Sequence, residues 1–476
     1  MIEDYDIVIG LEVHAELKTK TKVFCSCRNE FGDEPNSNCC PVCVGLPGAL
    51  PIINKKAVEL TIMAGLTIGS SFSEVAVFER KNYFYPDLAK SYQISQLEKP
   101  ICVGGQITLD SGKNIRINRI HLEEDAGKLI HKNDRIGTLI DYNRGGVPLI
   151  EMVTEPDISS GAEAVEFLTK YRSLLMFAGV ADCKMEQGGL RCDVNLSVKR
   201  KGQKELGTRT EMKNLNSFKM VQRAIEYEAK RQIEELEAGK QIVQETRKWD
   251  DNRGKSFAMR SKEESQDYRY FPDPDILAVK ITQQDIDRAK SQMPESAMSK
   301  KERYVHELKL PEYDAKILTS DKQTALFFES VLALTGEAKE TSNWIMTDVL
   351  KKCKEKDVES KEEVISSKNL AYIINATKSK QLTRVNAKEL FERVCFTKLD
   401  AKEEAEKLGF LSTISSLELD KLINDVFLEN QKAILDYEKE PIKVENYFIG
   451  QLMKKTAGKA DVAVARMKIH EKLEKK

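Results

Sequence analysis

The stretch that most constrains this chain is residues 9–17, IGLEVHAEL. In an extended strand, successive side chains point to opposite faces. Ile9, Leu11, Val13, Ala15 and Leu17 then share one apolar face, and Glu12, His14 and Glu16 share the other. The same division recurs in LRCDVNLSVK, where Leu190, Cys192, Val194, Leu196 and Val198 oppose Arg191, Asp193, Asn195, Ser197 and Lys199. In TRTEMKNL, Arg209, Glu211 and Lys213 alternate likewise. A solvated sheet face accounts for one such strand. Several faces that mix carboxylate, imidazole, guanidinium and amide groups point to a site.

Strand patterns of this kind, broken by Gly, Asn and Asp turns, fill residues 1–293 and predict an antiparallel sheet. One helix interrupts them: Phe218, Val221, Ile225, Ala229, Ile233 and Leu236 have helical spacing, and Gly239 is a natural stop. From residue 294 the texture changes. PESAMSKKERYVHELKL and DKQTALFFESVLALTG carry 3.6-residue periodicity, which predicts a helical region over 294–405 and another over 406–476. From Gly450 onward there are eight Lys/Arg against three Asp/Glu, whereas the whole chain balances 75 against 76. Nucleic-acid binding must therefore come from a local patch such as this tail. No apolar run approaches the ~20 residues of a membrane span. The acidic start, MIEDYDIVIG, runs straight into a strand pattern, unlike a signal peptide, so a cytoplasmic location is expected.

The remaining acids gather in turn-rich stretches. HLEEDAGK offers His121, Glu123, Glu124 and Asp125; YNRGGVPLIEMVTEPD offers Arg144, Glu151 and Glu155; CKMEQGG offers Glu186. Carboxylates with an imidazole suit a hard divalent cation such as magnesium or manganese. Magnesium takes few protein ligands and leaves room for phosphate oxygens, which points to nucleotide chemistry. There is no glycine-rich phosphate loop, because the position that would need its first glycine before Gly254-Lys255-Ser256 is Trp249. A nucleotide must then be held by metal and basic side chains on a sheet. ERKNYFYPD (79–87) and DYRYFPDPD (267–275) set Arg or Lys beside Tyr and Phe, able to stack on a base or clamp phosphate.

Ten cysteines in such a chain argue for metal ligands or buried thiols. Cys25 and Cys27, then twelve intervening residues, then Cys40 and Cys43, give the paired spacing of a tetrahedral zinc site. Four sulfur ligands leave no open position, so that zinc would be structural. Cys39 is a possible substitute ligand. Cys102, Cys183, Cys192, Cys353 and Cys395 are scattered and expected to be buried.

Taken in order, IGLEVHAEL, EFGDEPNSN, RKNYFYPD, YQISQ, HLEEDAGK, NRGGVPLIEMVTEPDI, KMEQGGLRCDVNLSV, GTRTEMKNLNSF and DYRYFPDPD resemble the B subunit of bacterial aspartyl/glutamyl-tRNA amidotransferase, the GatB family. The resemblance implies an α+β protein. Its antiparallel-sheet cradle, similar to glutamine synthetase, would span 1–293, followed by an all-helical domain over 294–405 and a YqeY-like helical, tRNA-binding tail over 406–476. It implies that ATP phosphorylates the side-chain carboxylate of Asp or Glu misacylated onto tRNA(Asn) or tRNA(Gln). Ammonia then displaces phosphate to give Asn-tRNA or Gln-tRNA. Carried over by motif, Glu12, His14, Glu124 and Glu151 would hold Mg2+. Glu186, Asp193 and Glu211 would serve a second ion or a structural role, and Lys81, Arg191 and Lys213 would contact phosphate. The implied partners are the amidase subunit GatA, the small subunit GatC and misacylated tRNA. The chain departs from the family pattern at Asp87–Gln93, where Pro and Gly are usual at 89 and 91, at Gly189, where Ser is common, and at Asp461-Val462, where Asn-Pro is usual. Two rival readings share these residues. A ligase acting on a free small carboxylate would have no use for two helical regions and a basic tail. A zinc-bearing RNA adapter would have no use for the acids.

Overall fold

The computed structural model describes residues 2–131, 137–261, 268–411, 416–435, 437, 440–456, 460 and 462–474; Asp267 and Asp461 lie outside them. The chain divides into two compact units, Met1–Ser296 and Ala297–Lys476.

A ten-stranded sheet organises the first unit. Its long strands are β1 (Tyr5–Glu16), β2 (Asn114–Glu124), β3 (Pro148–Thr154), β4 (Leu190–Arg200), β5 (Thr210–Leu215), β6 (Glu245–Asp250) and β7 (Lys255–Ser261). Across the sheet they run β7-β6-β5-β4-β1-β3-β2, with short strands completing the β2 edge. The N-terminal strand is thus central, paired along its length with β4 and over its second half with β3. Its apolar row behaves as the alternation requires: Ile9, Leu11, Val13 and Ala15 are fully buried, beside Cys192, Val194, Leu196 and Val198 of β4. Each such Leu, Ile or Val contributes about 1.5–3 kcal/mol by leaving water.

Three helices cover this apolar face: α1 (Lys55–Thr67), α2 (Gly161–Ala178) and α3 (Phe218–Glu237). Helix α3 starts where Ser217 accepts from the Met220 amide and closes before Gly239, whose φ is +73°. It buries Val221, Ala224, Ile225, Ala229 and Ile233, close to the predicted stripe. The all-antiparallel expectation fails at one pair, since β5 and β6 are parallel. Helix α3 lies between them in sequence, and a crossover returns the chain in the direction it left. The sheet is mixed.

Within the described residues, the second unit contains helices and no strands. The predicted segments become the helices Ala297–His306 and Lys322–Thr335; the latter is capped by Asp321, which accepts from the Thr324 amide, and stopped by Gly336 at φ +67°. Two separate apolar clusters hold this unit. One gathers Tyr304, Phe328, Trp344 and Phe391, with Phe410 and Leu411 packed against it. The other gathers Leu419, Phe427, Phe448 and Ile469.

Candidate active site

Register decides what faces what on the open side of the sheet. His14 of β1 stands opposite Glu151 of β3, and Glu151 stands opposite His121 of β2. Glu123, two residues beyond His121, points to the same side. These four side chains converge. His14 Nε2 is 3.2 Å from Glu151 Oε2 and 3.6 Å from Glu123 Oε1. His121 Nε2 is 3.3 Å from Glu123 and 3.4 Å from Glu151. Ser95 donates to Glu123 Oε2 at 2.9 Å and fixes its rotamer. One ligand atom each from His14, Glu123 and Glu151 fits within a 4.8 Å span, which suits a single cation. Burial pushes the Glu151 carboxyl up, but His121 and His14 hold it well below the usual carboxylate range. Burial disfavours the His121 charge, yet Glu151 and Glu123 raise its pKa to about 9.

Two residues back along β1, at the next outward position, a second group forms. Glu12 faces Asp193 of β4, and Glu211 of β5 completes a triad whose ligand atoms also lie within 4.8 Å. Asn195 donates to Glu12 at 2.8 Å and Thr246 to Glu211 at 2.8 Å. Burial, followed by Glu151 and Glu211, raises the Glu12 pKa. A cleft of about 560 Å³ runs from Glu12 along Gly10, Asn195, Ser197 and Arg209.

Glu124, expected among the ligands, points the other way. Its carboxylate is 2.5 Å from Lys90 Nζ and accepts from the Ile94 amide at 2.9 Å. The physical reason is strand parity. Ile115 and Ile117 point inward at odd numbers, but a bulge shifts the register between Arg119 and Ile117. Beyond it, Ile120 and Leu122 are the inward pair, so Glu124 follows them and Glu123 takes the open face. Counted on from Ile115 and Ile117, odd numbers would carry Glu123 to the apolar row; the bulge reverses this. Glu186 is exposed on a 3-10 turn and joins neither group.

The basic candidates divide. Lys81 comes close to the first group: burial opposes its charge, but Glu123, Tyr270 and Glu151 raise its pKa, and its ammonium lies 4.9 Å from the centre of the Tyr268 ring. Arg191 is tied to Asp125 at 2.7 Å, and Lys213 lies in the second group. The two aromatic motifs pair with each other, Arg80 opposite Phe271, and Arg80 is held by Asp273 and Asp275 at 2.8 Å each.

Separately, Cys25, Cys27, Cys40 and Cys43 bring their sulfurs within 4.8 Å of one another. The Cys40 amide donates to Cys43 Sγ at 3.1 Å, and Lys22 Nζ lies 3.8 Å from it. Cys25, then the Cys40 amide and Lys22, lower the Cys43 thiol to about 4. Cys39 stands outside the four, 4.0 Å from Asn143 Oδ1. The other five cysteines are buried.

Two family models match: the GatB/GatE catalytic domain over residues 7–287 and the GatB domain over 326–473. This chain belongs to the GatB family. Its GatB relative in Caldicellulosiruptor saccharolyticus, named as the B subunit of aspartyl/glutamyl-tRNA(Asn/Gln) amidotransferase, is 48% identical over 478 residues, 99% of this chain and 100% of its own length. Proteins of the same name in Lachnoclostridium phytofermentans and Thermoanaerobacter pseudethanolicus are 46% and 45% identical, each over 99% of this chain and at least 99% of their own. Both carboxylate groups and the four-sulfur group fall inside the catalytic-domain match.

Proposed function

We propose that this GatB chain is the transamidating subunit that converts misacylated Asp-tRNA(Asn), Glu-tRNA(Gln) or both to Asn-tRNA(Asn) and Gln-tRNA(Gln), using ATP and ammonia. The observation that carries the reading is one sheet face bearing two adjacent hard-ligand groups inside the matched catalytic domain. Outward positions on β1 are about 6.6 Å apart, so both groups open onto the same stretch of the sheet face. The relatives' name supplies the substrate class.

His14, Glu123 and Glu151 would hold one Mg2+, and Glu12, Asp193 and Glu211 a second. Oxygen-rich donor sets with one imidazole fit that ion better than zinc. When bound, Mg2+ neutralises phosphate charge and orients the transferred group. The chain's own residues do the rest. Lys81, beside Glu123 and Glu151, adds positive charge at the mouth of the first group. Ser95 and His121 fix the carboxylates so that little reorganises when phosphate arrives. Phosphorylation turns the substrate's carboxylate oxygen into a leaving group, and ammonia then takes its place. The cleft beside Glu12 supports the reading by giving room for the acylated end near the acids. A cradle similar to glutamine synthetase, with zinc in the thiol cluster as a closed structural ion, belongs to the same proposal.

The relatives' name, that of one subunit among several, supports a multi-subunit enzyme, with ammonia from the amidase GatA and GatC as the clasp. The basic tail from Gly450 supplies local charge for the tRNA body. No described helix is long and apolar enough to cross a membrane; a cytoplasmic location completes the proposal. The experiment combines the chain with its co-expressed partners, glutamine, ATP and mischarged tRNA, and measures amidated product. ATP-dependent Asn-tRNA or Gln-tRNA is expected, and should vanish with Glu12→Gln in a protein that keeps its folded content. Unchanged product from Glu12→Gln would return the chain to the adapter reading. Removing residues 406–476 should raise the KM for tRNA; an unaltered KM would favour a small-molecule ligase.

A further inference from the structure

The two carboxylate groups differ in one respect that ligand chemistry alone does not explain. Lys213 Nζ lies inside the second group, 2.6 Å from Asp193 Oδ2 and 3.0 Å from Glu211 Oε1. Its placement is built by the backbone. The β4–β5 register shifts between Cys192 and Val194, and Asn214 adopts φ +69°, a left-handed conformation that Asn tolerates better than most residues. The Asn214 side-chain amide donates to the Trp249 carbonyl at 3.0 Å, pinning the bulge. Lys213 shares the outward face of β5 with Glu211, and the register that sets Val194 against Met212 and Asn195 against Glu211 brings it opposite Asp193. The Lys213 side chain is nevertheless 39% exposed, so its ammonium can swing out on a four-carbon stem.

We infer that Lys213 is a tethered counter-ion that occupies the second carboxylate group at rest, so that a divalent cation enters there only by displacing its ammonium. The inference deepens the proposed function and rests on its reading of both groups as cation sites. An ammonium and a divalent ion cannot share three carboxylates whose oxygens span 4.8 Å. Among the described ion pairs, the first group's carboxylates meet the imidazoles of His14 and His121 and no lysine ammonium; Lys81 stands nearby, outside contact. Cations therefore bind in order, the His14 group first. The displaced ammonium is then free to meet an incoming phosphate, which favours filling the second group only when nucleotide is present. Lys213 is a positioning residue in this scheme.

The test counts Mn2+ bound to the zinc-loaded full chain without nucleotide, by electron paramagnetic resonance of the free ion and by calorimetry. Thiolates bind this ion poorly, so the cysteine group does not contribute. One tight site is expected on the unaltered chain. Lys213→Met should show two, the second bound at least about tenfold more tightly than before, because a full positive charge has left its ligands. Lys213→Arg, which retains the charge, should keep one, and Lys213→Gln repeats the count if the methionine variant does not fold. Adding Glu151→Gln to Lys213→Met should return the count to one. Two equally tight ions on the unaltered chain overturn the inference and leave both sites standing. A folded Lys213→Met protein with no added ion also overturns it. No ion on any of these proteins overturns the reading of the sites themselves.

Discussion

The thiol cluster at residues 25–43 and the open face of β1 both gather side chains around a point, and they differ in what is left over. Four sulfurs fill a tetrahedral shell completely, so a soft ion held there meets no substrate. Three oxygen or imidazole donors per group leave vacant positions for phosphate on a hard ion. The first arrangement comes from two turns close in sequence, the second from strands separated by up to about two hundred residues. A closed, local site stabilises its own loop. An open, non-local one depends on the whole sheet and can do chemistry.

The sharpest break between them is functional. Glu123→Gln and Glu151→Gln each take a charged oxygen donor from the first group and should lower the rate of amidation by at least about 10³-fold in protein that is still folded at the assay temperature; single-turnover assays with mischarged tRNA read this directly. Cys25→Ser should do the reverse. Its melting temperature falls by on the order of 5 °C as the knuckle loosens, and a chelator that lowers the unaltered chain has no further effect on the variant. If the cysteine variant melts normally and loses amidation, the division of roles is wrong.

Acidity sharpens the contrast further. His121 in the metal-free protein titrates near 9, because Glu151 and Glu123 outweigh burial, against an ordinary value of 6.5. A raised folded value means stability that is complete below about pH 6.5 and lost as pH climbs through 9. Denaturant midpoints of the metal-free chain should therefore decline across that window. Over the same range, affinity for Mn2+ should rise about tenfold per pH unit where one proton is displaced. The smallest effect belongs to Glu124→Gln. Its partners are Lys90 and the Ile94 amide, so amidation should stay within about tenfold of normal while stability drops through the orphaned ammonium. A collapse of kcat matching that of Glu123→Gln would reinstate Glu124 as a ligand.

Much of this was legible in the chain. The apolar row of β1 and the rows of β4 announced a half-buried sheet, because a period of two has one reading once one face is apolar. Cys25, Cys27, Cys40 and Cys43 announced their own cluster, since short spacing forces proximity. The stripe from Val221 to Ile233 announced α3. Three things were settled only by folding. Which of Glu123 and Glu124 reaches the open face was decided by a bulge that changes parity within β2. The parallel pairing of β5 and β6 was decided by the path of α3. The approach of Lys213 to Asp193 was decided by the pairing of β4 with β5, whose register sets Val194 against Met212 and Asn195 against Glu211. In each case the sequence states which side chains a strand offers. Which strand lies alongside, and in what register, is fixed by packing between residues far apart along the chain.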